Sequence, residues 1–460
     1  MSRQVATPPV DRTRPPAPGP VERYAFPDFS RRRLPVGLEV IPVPVARTPL
    51  VSVAAIFPAG GWFDPEDRAG MATLVSGLLD EGTEHRDALE IAAAVEHLGG
   101  RLETAADWNV AAAEVRLLDE HLEDGLEILA DVILRPTFPP DEVERARRNR
   151  LTDLLRRRDQ PAVVASDHFY RLLYGETPYG RPLVGRPEDV RSVDRAGIEA
   201  FYRRNYSLQN GWLVGVGSLD ADRFEAAAAR AFGAGAPGEP VSPPVIRPPA
   251  PGGVRVRVVD RPGAAQTELR MGHAGVARTH PDWTPLTVMN VLLGGKFTSR
   301  INLNLRERHG LTYSAGSRFV PRQGPGPFVI NAAVATPGAG TAAREVLGEL
   351  ERLQAELVGE EELRDTKSYV LGVFPYTLQT VDGILAHMEN LAVYGLPDDH
   401  YAPERYLERL QAVTREEVLR VAREHLQPHR ATIVAVGPAA ELAPQFQGLG
   451  EVEVVRDPAQ

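Results

Sequence analysis

A run of proline and glycine over residues 233–253, GAGAPGEPVSPPVIRPPAPGG, constrains this chain more than any other feature. Proline lacks the backbone donor that helix and sheet both need, so neither a helix nor a central strand survives that density of it. The run therefore reads as a linker between two bodies. The sequence on either side of it matches. NGWLVGVG, ending at Gly217, and ATIVAVG, ending at Gly437, are apolar strand patterns 220 residues apart. A period that long repeats a whole domain rather than a solenoid unit. The expected organisation is a Pro-rich flexible arm over 1–28, one half over 29–235, the linker at 236–253 and a second half over 254–460.

Within the first half, 38–43 and 51–57 read as short strands, and 101–118 as a pair of strands. Helical periodicity runs over 88–98, 121–133, 140–158 and 162–173. In the second half 267–273 reads as a strand and 283–293 as a helix. Mixed elements of this kind, repeated, give an α+β class. With 460 residues, 43% of them hydrophobic, both halves can bury a core. The formal charge of −10 is spread along the chain, which argues against a nucleic-acid-binding surface. The charged run at 153–159, DLLRRRD, reads as a solvated helix face. The absence of cysteine removes disulfides, thiolate zinc sites and a cysteine nucleophile. No apolar run reaches the roughly 20 residues that span a bilayer. The first twenty residues carry no apolar signal core, so the expected location is cytoplasmic.

Residues 64–83 read DPEDRAGMATLVSGLLDEGT. Asp64 stands as an N-cap, Pro65 as the first helical residue, and Glu66 and Asp67 as first-turn acids. Met71, Leu74, Val75, Leu78 and Leu79 follow at helical spacing, and Gly82 closes the helix. Ala69, Gly70, Ala72, Gly82 and Thr83 stand in register with A-G-x-A-H-x-x-E-H-x-x-x-x-G-T. The stretch thus resembles the M16 metallopeptidases of the pitrilysin, insulinase and mitochondrial-processing type. In H-x-x-E-H the two His reach one Zn²⁺ from successive turns and the Glu activates its water. Here those positions are Thr73, Ser76 and Gly77. Aligning the family's later E-R-x-R segment on Glu144, Arg145 and Arg147 puts Asp153 at its third ligand and Ala146 at an accessory Glu. Two absent imidazoles and one shortened carboxylate do not hold a catalytic zinc. Nor do the eleven His offer a helical replacement, because the spacing of His425 and His429 is broken by Pro428.

The second half keeps its motif. Residues 294–314, GGKFTSRINLNLRERHGLTYS, match the same family's G-x-x-x-S-R-L-x-x-x-L-R-E-x-x-G-L-x-Y at Gly295, Ser299, Arg300, Leu305, Arg306, Glu307, Gly310, Leu311 and Tyr313. The resemblance implies that Arg306 and Tyr313 face a cavity and bind the carbonyl of a substrate held at zinc. The side-chain types suit that task, since Arg is a permanent cation with a donor fork and Tyr a phenolic donor. The alternative for the pair is structural, with Arg306 on Glu307 and Tyr313 an ordinary strand aromatic.

The resemblance spans about residues 30–455. It implies two homologous α+β domains, each a mostly antiparallel sheet packed with helices, facing each other as a clamshell. The expected function is that of a zinc-less subunit in a heterodimer or larger assembly. This chain would carry no cofactor. Zn would sit in an H-x-x-E-H partner, and Arg306 and Tyr313 would act in trans on short unfolded peptides. The alternative is a structural core subunit or a peptide clamp without a peptidase role.

Overall fold

The structure, a computed structural model, describes residues 24–250 and 252–456. Residues 1–23 of the expected arm lie outside the described residues. The end of that arm is docked, not flexible. The Tyr24 hydroxyl donates to the Tyr401 carbonyl at 3.2 Å, and the Phe26 ring lies 5.5 Å from that of Tyr401. Two large aromatics found an apolar partner in the second half, which Pro-rich composition alone did not reveal.

The first half contributes strands β1 (Arg32–Arg33), β2 (Glu39–Pro44), β3 (Leu50–Phe57), β4 (Arg101–Ala106), β5 (Ala111–Leu118) and β6 (Trp212–Gly217). They form one sheet in the order β1-β2-β6-β3-β5-β4. The second half contributes β7 (Arg255–Asp260), β8 (Thr267–Ala274), β9 (Thr312–Phe319), β10 (Pro327–Val334), β11 (Thr432–Gly437) and β12 (Glu451–Arg456). Its sheet runs β12-β7-β11-β8-β10-β9. Strand for strand, β2, β6, β3, β5 and β4 correspond to β7, β11, β8, β10 and β9. The two apolar runs ending at Gly217 and Gly437 are β6 and β11, at equivalent places. Each sheet is mixed: β2 pairs β6 and β7 pairs β11 in parallel, while the strands beyond them pair antiparallel. The halves differ at one edge, where β1 is antiparallel to β2 but β12 is parallel to β7.

The first half folds helices α1 (Met71–Ser76), α2 (Ala88–His97), α3 (Leu122–Leu134), α4 (Pro140–Arg158), α5 (Pro161–Tyr174), α6 (Pro187–Ser192), α7 (Arg195–Asn205) and α8 (Ala221–Phe232). The second adds α9 (Trp283–Asn290), α10 (Arg300–Asn302), α11 (Ala339–Ala355), α12 (Glu360–Thr377), α13 (Val381–Tyr394), α14 (Pro403–Ala412) and α15 (Arg415–His425). Among the described residues no helix or strand lies between Phe232 and Arg255, as the prolines require. No helix among the described residues is long and apolar enough to cross a membrane.

Both sheets are covered on two faces, which explains the nearly unbroken apolar runs of their central strands. One face of the first sheet packs against its own helices, including α1, α3 and α8. The second sheet does the same with α9, α11 and α15. The opposite faces are exchanged. Ile384, Leu385, Met388 and Leu391 of α13 cover Ile41, Val43, Ile56, Val214 and Val216 of the first sheet. Val164, Phe169 and Leu173 of α5 cover Val259, Val329, Val434 and Val436 of the second.

The helix expected from Pro65 onward is shorter than its periodicity suggested. It begins only at Met71, after Gly70 in the left-handed region at φ 90°. A Cβ at Gly70 would sit 2.8 Å from the backbone of Val184 and Gly185, so only glycine fits there. Asp64 caps the helix from a distance: its two carboxylate oxygens accept from the N–H groups of Gly70 and Ala72, each at 2.7 Å. Burial pushes the Asp64 carboxyl up to about 7, against the pull of those two donors. Pro65 to Asp67 form the turn that brings it there.

Candidate functional site

The degenerate zinc positions offer no set of metal ligands. Thr73 lies on α1, and its hydroxyl sits 3.0 Å from the Gly70 carbonyl and 3.2 Å from that of Leu183. Ser76, where the base would stand, is 1% exposed and withdrawn from solvent. Gly77 ends the helix and offers no side chain. Asp153, on α4, keeps 57% of its side chain exposed and pairs with Arg156 at 3.5 Å. In its place Arg150, one turn earlier on the same helix, reaches Thr73. It donates to the Thr73 hydroxyl at 2.7 Å and to the Val184 carbonyl at 3.1 Å. Burial pulls the Arg150 pKa down from its usual value, yet an arginine stays cationic in a protein. A fixed positive charge on the first ligand position, with no imidazole beside it, does not fit Zn²⁺. Sequence reading found the missing ligands but not the arginine, whose helical phase toward Thr73 depends on how α4 lies against α1.

The second motif does converge. After Asn290 the chain widens into a π-helical turn over Val291–Gly295, and a second one, Leu303–Arg308, carries Arg306. Gly310 then adopts φ 61°, which a glycine takes without strain. Its N–H bonds the Arg306 carbonyl at 3.1 Å, and the Leu311 N–H bonds that of Leu305 at 2.8 Å. This reversal folds β9 back along the helix, so the seven-residue spacing sets Tyr313 beside Arg306. The guanidinium carbon lies 5.1 Å from the Tyr313 ring centre and 4.6 Å from that of Phe297. Arg306 thus stacks on two aromatic rings, a cation–π arrangement that orients its fork. Tyr313 is 83% exposed and Phe297 60%, so this cluster faces solvent. The Arg306 Nε also pairs with Glu307 at 3.2 Å, the structural contact expected of it.

Phe297 was missed in the sequence, although a large aromatic among the polar residues before Ser299 was a usable signal. The frame beneath the cluster is firmly tied. Arg300 binds Glu362 of α12 with two bonds of 2.7 Å. Lys296 donates to Thr366 at 3.0 Å, and Asn302 joins the Phe297 carbonyl at 2.7 Å to the Ala315 N–H at 3.0 Å. Both β4 and β9 are edge strands with one neighbour each among the described residues. An edge strand is a template on which an extended peptide can add.

One His/Asp group does come together, which sequence spacing had not suggested. His280, Asp282 and His425 place ligand-type atoms within 4.8 Å of one another. Their donors are committed within the protein. Arg420 holds both Asp282 oxygens, at 2.6 and 3.1 Å, His425 Nε2 lies 2.7 Å from Oδ2, and the Asp282 N–H donates to His280 Nδ1 at 3.1 Å. The arrangement is an ion-pair knot between the start of α9 and the end of α15. Arg420 first, then His425, hold the Asp282 carboxyl down at about 2. A carboxyl with a depressed folded pKa stabilises the fold above its unfolded value near 4 and loses that contribution as pH falls through 2. Urea unfolding of the parent and Asp282→Asn should therefore differ by up to about 2 kcal/mol at pH 5, and the gap should shrink as pH falls from 4 and close only below pH 2. A gap constant across that range would remove the carboxylate from the account.

Comparison with known proteins gives a consistent picture. Residues 43–186 match a family model described as Insulinase (Peptidase family M16), and residues 192–370 one described as Peptidase M16 inactive domain. The chain is 28% identical over 411 residues to a protein of Mycobacterium tuberculosis named an uncharacterized zinc protease, covering 89% of this chain and 93% of that one. It is 26% identical over 269 residues to the mitochondrial-processing peptidase subunit beta of Blastocladiella emersonii, covering 57% of this chain and 56% of the relative. Among solved structures it resembles a peptidase M16 inactive domain from Pseudomonas fluorescens, with a TM-score of 0.83, 27% identity and coverage of 89% and 98%. The Arg306 and Tyr313 cluster falls inside the matched inactive domain, and the degenerate zinc positions inside the other.

Proposed function

The chain belongs to the M16 peptidase family and lacks the complete H-x-x-E-H motif; from that premise we propose that it is the non-catalytic subunit of a two-chain zinc peptidase. A separate H-x-x-E-H subunit supplies the metal and the base. This chain supplies part of the chamber and presents Arg306 and Tyr313 to the carbonyl of a short unfolded peptide bound there. The observation that carries the reading is the contrast between the two motifs. Arg150 blocks the zinc position, while Arg306 stacks between Phe297 and Tyr313 on an exposed face. A half-buried, preoriented guanidinium with an exposed phenol beside it suits a developing oxyanion better than it suits a core. The relative named as one subunit of a processing peptidase supports an assembly of this type. The Arg306–Glu307 pair favours the second reading, in which the cluster is structural and the chain a scaffold or clamp.

Two measurements on the purified chain test the first part. Elemental analysis should find no stoichiometric zinc, and short unfolded peptides should stay intact until an H-x-x-E-H partner is added. About one tightly held zinc per chain, as in a catalytic site, or cleavage by the chain alone, would sink the reading.

A further inference from the structure

Where H-x-x-E-H would set its two imidazoles on α1, this chain presents an open face bordered by one guanidinium. Thr73 and Gly77 stand one helical turn apart and so share that face. Gly77 is exposed, and a Cβ there would meet only the Thr73 carbonyl, at 3.4 Å. No other protein atom fills the space an imidazole would take at 77. Arg150 closes one side of it at the Thr73 hydroxyl.

Arg150 is anchored but not paired. Its Nη1 donates to the Thr73 hydroxyl at 2.7 Å and to the Val184 carbonyl at 3.1 Å, both uncharged acceptors. Its Nε and Nη2 bond to nothing among the described residues and stay open to solvent. Nor does any carboxylate among the described residues form an ion pair with it. Asp153, Arg157 and Asp64 act on it only through the field. Each has its own partner: Asp153 holds Arg156 at 3.5 Å, Arg157 faces Asp167 at 3.9 Å, and Asp64 spends both oxygens on the N–H groups of Gly70 and Ala72. Burial pulls the Arg150 pKa down, so the cation is short of solvation where it stands. Nε and Nη2 form one edge of a guanidinium, and two parallel N–H bonds from such an edge match the oxygens of a carboxylate. Arg300 shows the same edge in use, with Nε and Nη2 each 2.7 Å from an oxygen of Glu362.

We propose that Arg150 receives a carboxylate of the bound peptide on this free edge, which turns the vacated zinc position into a carboxylate subsite. The inference rests on the reading above only in taking the ligand to be a peptide. A metal ion and a guanidinium are both cations, so the site keeps its sign and trades polarising power for recognition. Either a C-terminal carboxylate or an Asp or Glu side chain supplies the chemistry.

Fluorescence anisotropy of the full chain, without a partner, tests this with one short unfolded peptide, labelled at its N-terminus, in three versions. The first ends in a free carboxylate, the second in an amide, and the third in an amide with one internal Glu; the first two contain no Asp or Glu. At least one carboxylate-bearing version should bind about tenfold or more tighter than the plain amide, the usual worth of a charge-assisted bond. The version that gains identifies the source, terminus or side chain. Arg150→Gln should erase the gap, and Arg150→Lys, which keeps the charge but loses the fork, should keep part of it. The parent's own preference for carboxylate over amide keeps the test decisive where Arg150→Gln fails to fold. Equal affinity for all three versions overturns the subsite while leaving a peptide-binding chamber, and so does a gap that Arg150→Gln leaves unchanged. Binding of none of them overturns it too; the trans role of Arg306 and Tyr313 is read separately, from turnover of the two-chain complex.

Discussion

Arg306→Ala in this chain should lower kcat of the complex with an H-x-x-E-H partner by about 10²–10³-fold, the usual cost of removing one oxyanion donor. Assembly should be unaffected, because the side chain is held by Phe297, Tyr313 and Glu307 rather than by the core. Tyr313→Phe keeps the ring that Arg306 stacks on and removes only the hydroxyl. It should therefore lose rate without losing the orientation of the guanidinium. Arg306→Lys keeps the charge but not the planar fork, and should fall between parent and Arg306→Ala. Phe297→Ala touches no substrate in this reading. It frees the guanidinium to swing, so its loss in kcat should be smaller than that of Arg306→Ala. Zinc content of the partner should stay constant throughout. If Arg306→Ala and Tyr313→Phe both leave turnover within about twofold in an intact complex, far below the donor effect, the cluster is structural. The scaffold or clamp reading then stands.

The motifs were legible because they are local. Gly310 and its two backbone bonds turn a seven-residue spacing into a contact, and that geometry is written in consecutive residues. The loss of zinc ligands at Thr73, Ser76 and Gly77 could likewise be seen letter by letter. The duplication was visible because β6 and β11 occupy equivalent, two-sidedly buried places and so carry the same apolar run. What stayed hidden depends on packing between distant segments. Helical periodicity over 71–79 could not show that Gly70 must turn left-handed against Val184 and Gly185, and so delay the helix. The contact of Arg150 with Thr73 depends on how α4 lies against α1. Asp282 and His425 are 143 residues apart, and only the packing of α15 on α9 joins them. The exchange of α5 and α13 was hidden for the same reason: an amphipathic helix announces a buried face, not the sheet that will bury it.

That exchange makes the two halves unequal to independent life. Residues 24–250 expressed alone should fail to fold to a stable monomer, although they contain a complete sheet and its own helices. Without α13, the face carrying Ile41, Val43, Ile56, Val214 and Val216 meets water. Burying side chains of this kind contributes about 1.5–3 kcal/mol each, so the five together are worth on the order of 10 kcal/mol as an upper bound. That matches the whole stability of a typical domain, roughly 5–15 kcal/mol. The isolated half should aggregate or bind a hydrophobic dye, and co-expression with residues 252–460 should restore a soluble complex. A milder probe keeps the chain whole. Ile384→Asp puts a carboxylate against the first sheet and should lower stability by more than about 4 kcal/mol, the range reserved for buried charges and large cavities. The decisive comparison is with Leu155→Asp on α4, a similar change at an exposed site, which should cost little. If the isolated first half unfolds cooperatively at the parent's melting temperature, or Ile384→Asp behaves like Leu155→Asp, the halves do not depend on the exchanged helices.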